Sequence, residues 1–374
     1  MLRAGSEPIV LSEPVLSKPA GVNSTVPQKM SLYVDVHDSM QNERLHIRAT
    51  HLAPNGIYKL VLRLKHKFGT HMSYAVFKAD SVGEIDVPTA KPLRGSYSGD
   101  GPFPAVIDIS GTGGGLHEHK GSMLASEGFV VLCVAFFQYK NLVQTLAEVD
   151  LKYFEKPINW IKRQSFTTDR LGIQGVSFGA TIVLLLATRF PQLDAVVAIN
   201  GPHVLSDYVN IKENGKFIPQ GQLADSKIRF INGIMASDRV IRHTTFDETT
   251  EIPWHRTSPN TSFRIVSSVD DLVASSVFCG RYITQRLKDL GRDVEIHLIN
   301  GGHIVEPPYF PHHGAVYAKF QGFYCGYGGD AVLHGKSQEL SWQGTIDFFK
   351  RKLGNTAIMP DWERLHHVST TSHL

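Results

Sequence analysis

The chain has 374 residues, of which 42% are hydrophobic and 20% charged, with a formal net charge of +3. That composition is ordinary for a globular protein, with enough apolar residues for a sizeable core in one large domain or two. So small a charge gives no sign of a nucleic-acid or membrane-surface partner, and Cys133, Cys279 and Cys325 lie too far apart to read as a disulfide framework.

Residues 1–30 carry Pro8, Pro14, Pro19 and Pro27 and read as an extended arm. The opening M-L-R-A-G-S-E-P lacks a signal-peptide apolar region, and sparse Arg matches a mitochondrial leader poorly. No apolar run reaches the ~18 residues that a membrane span needs. From residue 31 to 95 the pattern changes to short alternating segments: Leu32–Val36, Arg44–Ala49, Tyr58–Leu64 and Ser73–Lys78. Pro54-Asn55-Gly56 and Lys67-Phe68-Gly69 separate them, so the stretch is expected to form a small β-sandwich.

From residue 96 to 355 strands alternate with helices, which predicts a doubly wound, mainly parallel sheet covered on both faces. Strands are expected at Pro104–Ile109, Phe129–Phe137, Leu171–Val176, Asp194–Asn200, Phe263–Ser267 and Val294–Ile299. Helices are expected at Leu116–Glu127, at Leu142–Arg163 with a kink near Pro157, from the elbow to Phe190, at Ser275–Leu290, and at Ser337–Leu353. The polar stretch Gly201–Arg264 is long for a connection and reads as a lid or pocket wall. Residues 356–374 read as a tail ending in Ser372-His373-Leu374. That tripeptide is related to the peroxisomal S-K-L address and implies an import receptor as partner. The alternatives are a frayed tail and a cytoplasmic or mitochondrial location.

The chemistry centres on Gly175-Val176-Ser177-Phe178-Gly179. G-x-S-x-G between a strand and a helix is the nucleophile elbow of an α/β-hydrolase. The turn is so tight that a Cβ two residues before or after Ser177 would strike neighbouring backbone. A serine needs a base, and the base needs an orienting carboxylate. Asp270-Asp271 follows one predicted strand and His303 follows the last. An ordinary solvated Asp-Asp turn, and one of eighteen histidines, are the rival readings, but serine, acid and histidine come in the α/β-hydrolase order. Ser110-Gly111-Thr112-Gly113-Gly114-Gly115 offers bare N–H groups for an oxyanion, with the Phe178 N–H as partner donor. It lacks the Gly-Lys-Ser/Thr of a phosphate loop. His117 and His119 sit at i and i+2 and cannot share a helical face, so no metal is expected, and no cofactor either.

Taken with Gly302-His303-Ile304-Val305-Glu306-Pro307-Pro308-Tyr309, these motifs resemble the acyl-CoA thioesterase and bile acid-CoA:amino acid N-acyltransferase family. Leu45-His46-Ile47-Arg48-Ala49-Thr50-His51-Leu52-Ala53-Pro54-Asn55 resembles its β-sandwich domain. The resemblance implies an α/β-hydrolase with a triad of Ser177, Asp271 and His303, Asp271 being the second of the pair. The oxyanion donors would be the amides of Phe178 and of Gly113 or Gly114. It implies hydrolysis of acyl-CoA thioesters, with transfer of the acyl group to glycine or taurine as the alternative and an inactive short form as a third. Serine as nucleophile is similar to the thioesterases; cysteine serves in bile-acid conjugating members. Phe178 replaces a lysine common in the thioesterases, and Ser268 replaces a glycine. Ser96-Tyr97-Ser98-Gly99 runs almost directly into Gly101-Pro102-Phe103-Pro104, so a segment that family members carry between these landmarks is expected to be missing. The hydrolase sheet would then begin at its central strands.

Overall fold

A computed structural model describes residues 10–11, 30–34, 46–66, 69–90, 92–95, 102–207, 209–318 and 322–354. Apart from Val10–Leu11 and Met30, the N-terminal arm lies outside these residues, as do Ser96–Gly99 and the tail with Ser372-His373-Leu374. The described residues fall into two compact units, one within residues 1–100 and one within residues 101–357.

The first unit is all-β. Strands Ile57–His66 and Gly69–Lys78 form an antiparallel hairpin flanked by Val10–Leu11 and Arg94–Gly95. A second sheet joins Ser31–Val34, Ile47–Thr50 and Ile85–Asp86. Ala49 and Ile85 from one sheet pack with Tyr58 and Phe77 from the other, which is the two-layer burial that alternating sequences produce. Three short strands escaped the sequence reading. Val10–Leu11 lies in the predicted arm, Ile85–Asp86 after the last expected segment, and Arg94–Gly95 in a stretch rich in turn residues. All three are edge pairings of two residues, too short to leave a period.

The second unit is built on six parallel strands: β1 (Phe103–Ile109), β2 (Val130–Val134), β3 (Thr167–Val176), β4 (Ala195–Ile199), β5 (Ser262–Ser268) and β6 (Asp293–Ile299). Their spatial order is β6-β5-β4-β3-β1-β2. Among the described residues the chain enters the sheet at β1, and β2 lies beyond it at the edge. Five helices cover the strands: α1 (Glu118–Ser126), α2 (Glu155–Lys162), α3 (Phe178–Ala187), α4 (Ser276–Asp289) and α5 (Ala331–Leu353). Strand alternation decides which face each residue serves. In β4, Val196 and Ala198 pack with α2, α3 and α4, while Ala195, Val197 and Ile199 pack with α1 and α5. With apolar side chains on both faces, this is the doubly wound parallel sheet that the alternation of strands and helices predicts.

Two helix expectations are corrected. Residues 142–154 are turns and short 3-10 segments, and α2 begins only at Glu155. The Asp150 side chain accepts from Lys152 N (2.9 Å) and from Gly215 N (2.7 Å), so it competes with a helical ladder. Pro157 falls in the first turn of α2, where a missing N–H costs no hydrogen bond, and it makes no kink. Helix α5 starts six residues before the expected Ser337, because the Asp330 carboxylate caps it by accepting from Val332 N and Leu333 N, both at 3.0 Å.

The stretch between β4 and β5 contains a hairpin (Lys212–Glu213 with Lys216–Phe217) and strands Arg229–Ile231 and Ile234–Ala236. The latter pair joins Phe323–Gly326 and Ala315–Ala318 in a small mixed sheet. The insertion is thus bonded to the segment that follows His303.

Candidate active site

The site lies where the strand order reverses. The connection from β1 leads outward to β2, and β3 returns on the other side of β1. Ligand sites of open α/β sheets form at such switch points, beyond the carboxyl ends of the strands. The ends of β1 and β3 carry the glycine loop and Ser177.

Ser177 adopts φ +58° and ψ −128°, a strained conformation for a non-glycine residue. The flanking glycines permit it. A Cβ at Gly175 would lie 2.3 Å from Gly179 O, and one at Gly179 would lie 2.3 Å from Ser110 O. Phe178 opens α3, whose ten residues are all buried, so the serine stands on a fixed base.

His303 is 3% exposed and lies in the loop after β6. Its Nε2 is 2.8 Å from Ser177 Oγ, and its Nδ1 is 2.8 Å from Asp271 Oδ2. With Asp271 Oδ2 accepting from Nδ1–H, Nε2 is left to accept a hydrogen bond from the Ser177 hydroxyl. Asp271 is held by three further donors. Oδ1 accepts from Val273 N (2.8 Å) and Ala274 N (3.0 Å), and Oδ2 accepts from Ser276 Oγ. The neighbouring Asp270 is exposed.

The glycine loop passes close above the serine, since a Cβ at Gly111 would come within 3.6 Å of Ser177 Oγ. Gly114 has φ +62°, and its N–H points back to Gly111 O at 3.4 Å, while a Cβ at Gly113 would meet nothing within 4 Å.

Several residues that the sequence reading passed over hold His303. Asn200, at the end of β4 with φ +51°, donates through Nδ2 to His303 O (2.7 Å), Gly302 O (3.3 Å) and Ser268 Oγ (2.9 Å). Its Oδ1 accepts from Ser268 N (2.8 Å). His334 Nδ1 accepts from Gly302 N (3.0 Å), and Tyr327 O accepts from His303 N (2.8 Å). Asn200-Gly201-Pro202 at the end of an apolar strand was the available signal for Asn200, because asparagine tolerates the left-handed conformation.

Two further groups belong to the same half of the molecule. Lys120 is 2% exposed and pairs with both Asp108 and Glu306. His203 is fully buried, its Nδ1 3.3 Å from Cys279 Sγ and its ring against Phe246, Phe278 and Tyr282. Burial pushes this imidazole down to about 4, and the Cys279 thiol up to about 12.

Residues 149–355 match the model of the BAAT / acyl-CoA thioester hydrolase C-terminal domain, and residues 42–104 match that of the acyl-CoA thioester hydrolase/BAAT N-terminal region. The chain is 34% identical over 263 residues to acyl-coenzyme A amino acid N-acyltransferase 2 of Rattus norvegicus, covering 68% of this chain and 62% of that one. It is 30% identical over 259 residues to the mitochondrial acyl-coenzyme A thioesterase 2 of Mus musculus, covering 68% and 56%. To the bile acid-CoA:amino acid N-acyltransferase of Mus musculus it is 30% identical over 283 residues, covering 74% and 67%. The chain thus spans about three fifths of the length of the first two. Among solved structures it is similar to an acylaminoacyl peptidase of Pyrococcus horikoshii, at 13% identity over 83% of this chain and 44% of that one, with a TM-score of 0.44. By both matched regions, the chain belongs to the BAAT / acyl-CoA thioester hydrolase family.

Proposed function

We propose that this chain hydrolyses acyl-CoA thioesters, with Ser177 as nucleophile, His303 as general base and acid, and Asp271 as the orienting carboxylate. The observation that carries the reading is the unbroken hydrogen-bond path Ser177–His303–Asp271, with 2.8 Å at each step. Family membership supplies the substrate class.

Ser177 Oγ attacks the thioester carbonyl while His303 Nε2 takes its proton. Asp271 stabilises the imidazolium that forms. The developing oxyanion receives the N–H of Phe178 and one from the glycine loop. Gly113 is the better candidate there, because the Gly114 N–H is already engaged within the loop. The tetrahedral intermediate collapses as the C–S bond breaks. His303 Nε2–H protonates the departing CoA thiolate and leaves an acyl-serine. His303 then draws a proton from water, the hydroxide attacks the ester, and the free acid departs as Ser177 recovers its proton.

Two relatives named as amino acid N-acyltransferases favour a second reading, in which an amine rather than water resolves the acyl-serine. Incubation with an acyl-CoA, with and without glycine or taurine, separates them. Free acid supports hydrolysis, and an amide product supports transfer. Replacing Ser177 by Ala is expected to abolish thiol release and labelling by a fluorophosphonate probe. Turnover unchanged in that variant would remove Ser177 from the mechanism, and a wild-type chain that neither turns over nor labels would mark an inactive form.

A further inference from the structure

Beneath the site lies a buried charged cluster that the reaction does not use. Lys120 Nζ is 2.9 Å from Asp108 Oδ1 and 2.6 Å from Glu306 Oε1. Asp108 Oδ1 also accepts from Gln174 Nε2 at 2.7 Å. All four side chains are buried. Their places in the chain are what matter. Gln174 stands three residues before Ser177 on β3, and Glu306 three residues after His303. Asp108 stands two residues before Ser110, where the glycine loop begins, and Lys120 follows that loop on α1. One ammonium therefore ties both stems of the glycine loop to the histidine loop, and through Asp108 and Gln174 to the strand that carries the serine.

Stability is a poor reason to keep such a cluster. Burying an ion pair costs desolvation that its attraction barely offsets, and apolar side chains of similar size commonly do as well. Here the mismatch is larger, because two carboxylates share one ammonium. Glu306 Oε2 and Gln174 Oε1 find no partner among the described residues. Burial pushes the Glu306 carboxyl above its ordinary range against the pull of Lys120. A cluster that apolar side chains could replace for folding, yet that joins the glycine loop, the histidine loop and the strand bearing Ser177, is best explained by the geometry it fixes.

We propose that Lys120 and Glu306 are positioning residues, which hold the His303 loop in register with the glycine loop and with Ser177. The inference rests on the reading of Ser177 and His303 as nucleophile and base. It does not depend on which acyl substrate is used. The backbone bonds from Asn200, His334 and Tyr327 fix Gly302 and His303, while Glu306 fixes the loop beyond them. Cutting that tie lets the imidazole drift, and a misplacement of about 1 Å costs about 100-fold in rate.

The deciding variant is Glu306→Met. It removes the tie while leaving Lys120 and Asp108 paired and the volume filled. We expect kcat on acyl-CoA, per fluorophosphonate-titrated site, to fall at least tenfold with KM within threefold of wild type. The labelling rate should fall by the same factor. Lys120→Met should show the same loss, and the double variant should be no slower than the slower single within threefold, because both cut one linkage. A Glu306→Met enzyme with kcat and labelling rate within threefold of wild type, whatever its melting temperature, overturns the proposal. Lys120→Met leaves two carboxyls unpaired; if it does not fold, Glu306→Met alone decides. If the wild type labels rapidly but releases no thiol from acyl-CoA, the substrate reading fails while the labelling ratio still tests the positioning role.

Discussion

Gly179→Ala probes the packing that holds Ser177 against the glycine loop. The added methyl would sit 2.3 Å from Ser110 O and 2.9 Å from Ile109 O, both main-chain atoms. A carbon approaches a carbonyl oxygen to about 3.3 Å, so the first turn of α3 must retreat from the end of β1 by about 1 Å. Ser177 and the Phe178 N–H ride on that turn, whereas the glycine loop stays with β1. The two halves of the site separate by the displacement that costs about 100-fold in rate, and the crowding costs about 1–3 kcal/mol of stability. Gly335→Ala, within α5, is the internal control, since its methyl would also meet nothing within 4 Å. Thiol release from acyl-CoA, followed with a chromogenic thiol reagent on protein shown to be folded by circular dichroism, should fall about 100-fold for Gly179→Ala and less than threefold for Gly335→Ala. A folded Gly179→Ala within threefold of wild type, or equal damage from both, would refute the reasoning.

Asn200→Ala strands the Ser268 N–H and the His303 carbonyl and places alanine at φ +51°. Each stranded buried group costs about 1–3 kcal/mol, so urea unfolding should show a loss of about 3 kcal/mol together with reduced turnover. A loss under about 1 kcal/mol would mean that the asparagine is incidental. For His203, burial holds the folded imidazole at about 4, below its ordinary 6.5. Between those values the unfolded chain binds the extra proton, so this contribution is complete above 6.5 and is lost as the pH falls through the window. The full loss is about 3 kcal/mol. Melting temperatures measured from pH 7 to pH 4.5 should fall less steeply for His203→Phe than for wild type; identical slopes would show that His203 does not carry the effect.

The elbow was readable because its constraint is local. Gly175, Ser177 and Gly179 lie within five residues, and the collisions that demand glycine involve the adjoining turn and the next strand. Asp271 and His303 were readable because each directly follows a strand, and parallel strands bring all such ends to one edge of the sheet. The positioning cluster was not readable. Lys120 and Glu306 are 186 residues apart, and a lysine in an amphipathic helix reads as a solvated one until the fold buries it. Residues 142–154 misled for a related reason. Their apolar spacing suits a helix, but Asp150 spends its carboxylate on the turn at Asn214–Gly215, which only the tertiary structure brings near.

The small mixed sheet between the insertion and the segment after His303 bears on how this chain could be re-engineered. Ile234 and Met235 pair with Tyr324 and Cys325, Ser237 bonds to Leu272 O and Val273 O, and Tyr327 O holds His303 N. The insertion is therefore joined to the loop that carries Asp271 and to the loop that carries His303. Transplanting an insertion from a relative to change acyl preference would carry new tension into both. Grafts that preserve residues 234–237 as a joint should keep turnover while changing selectivity, whereas grafts cut inside that joint would trade one for the other.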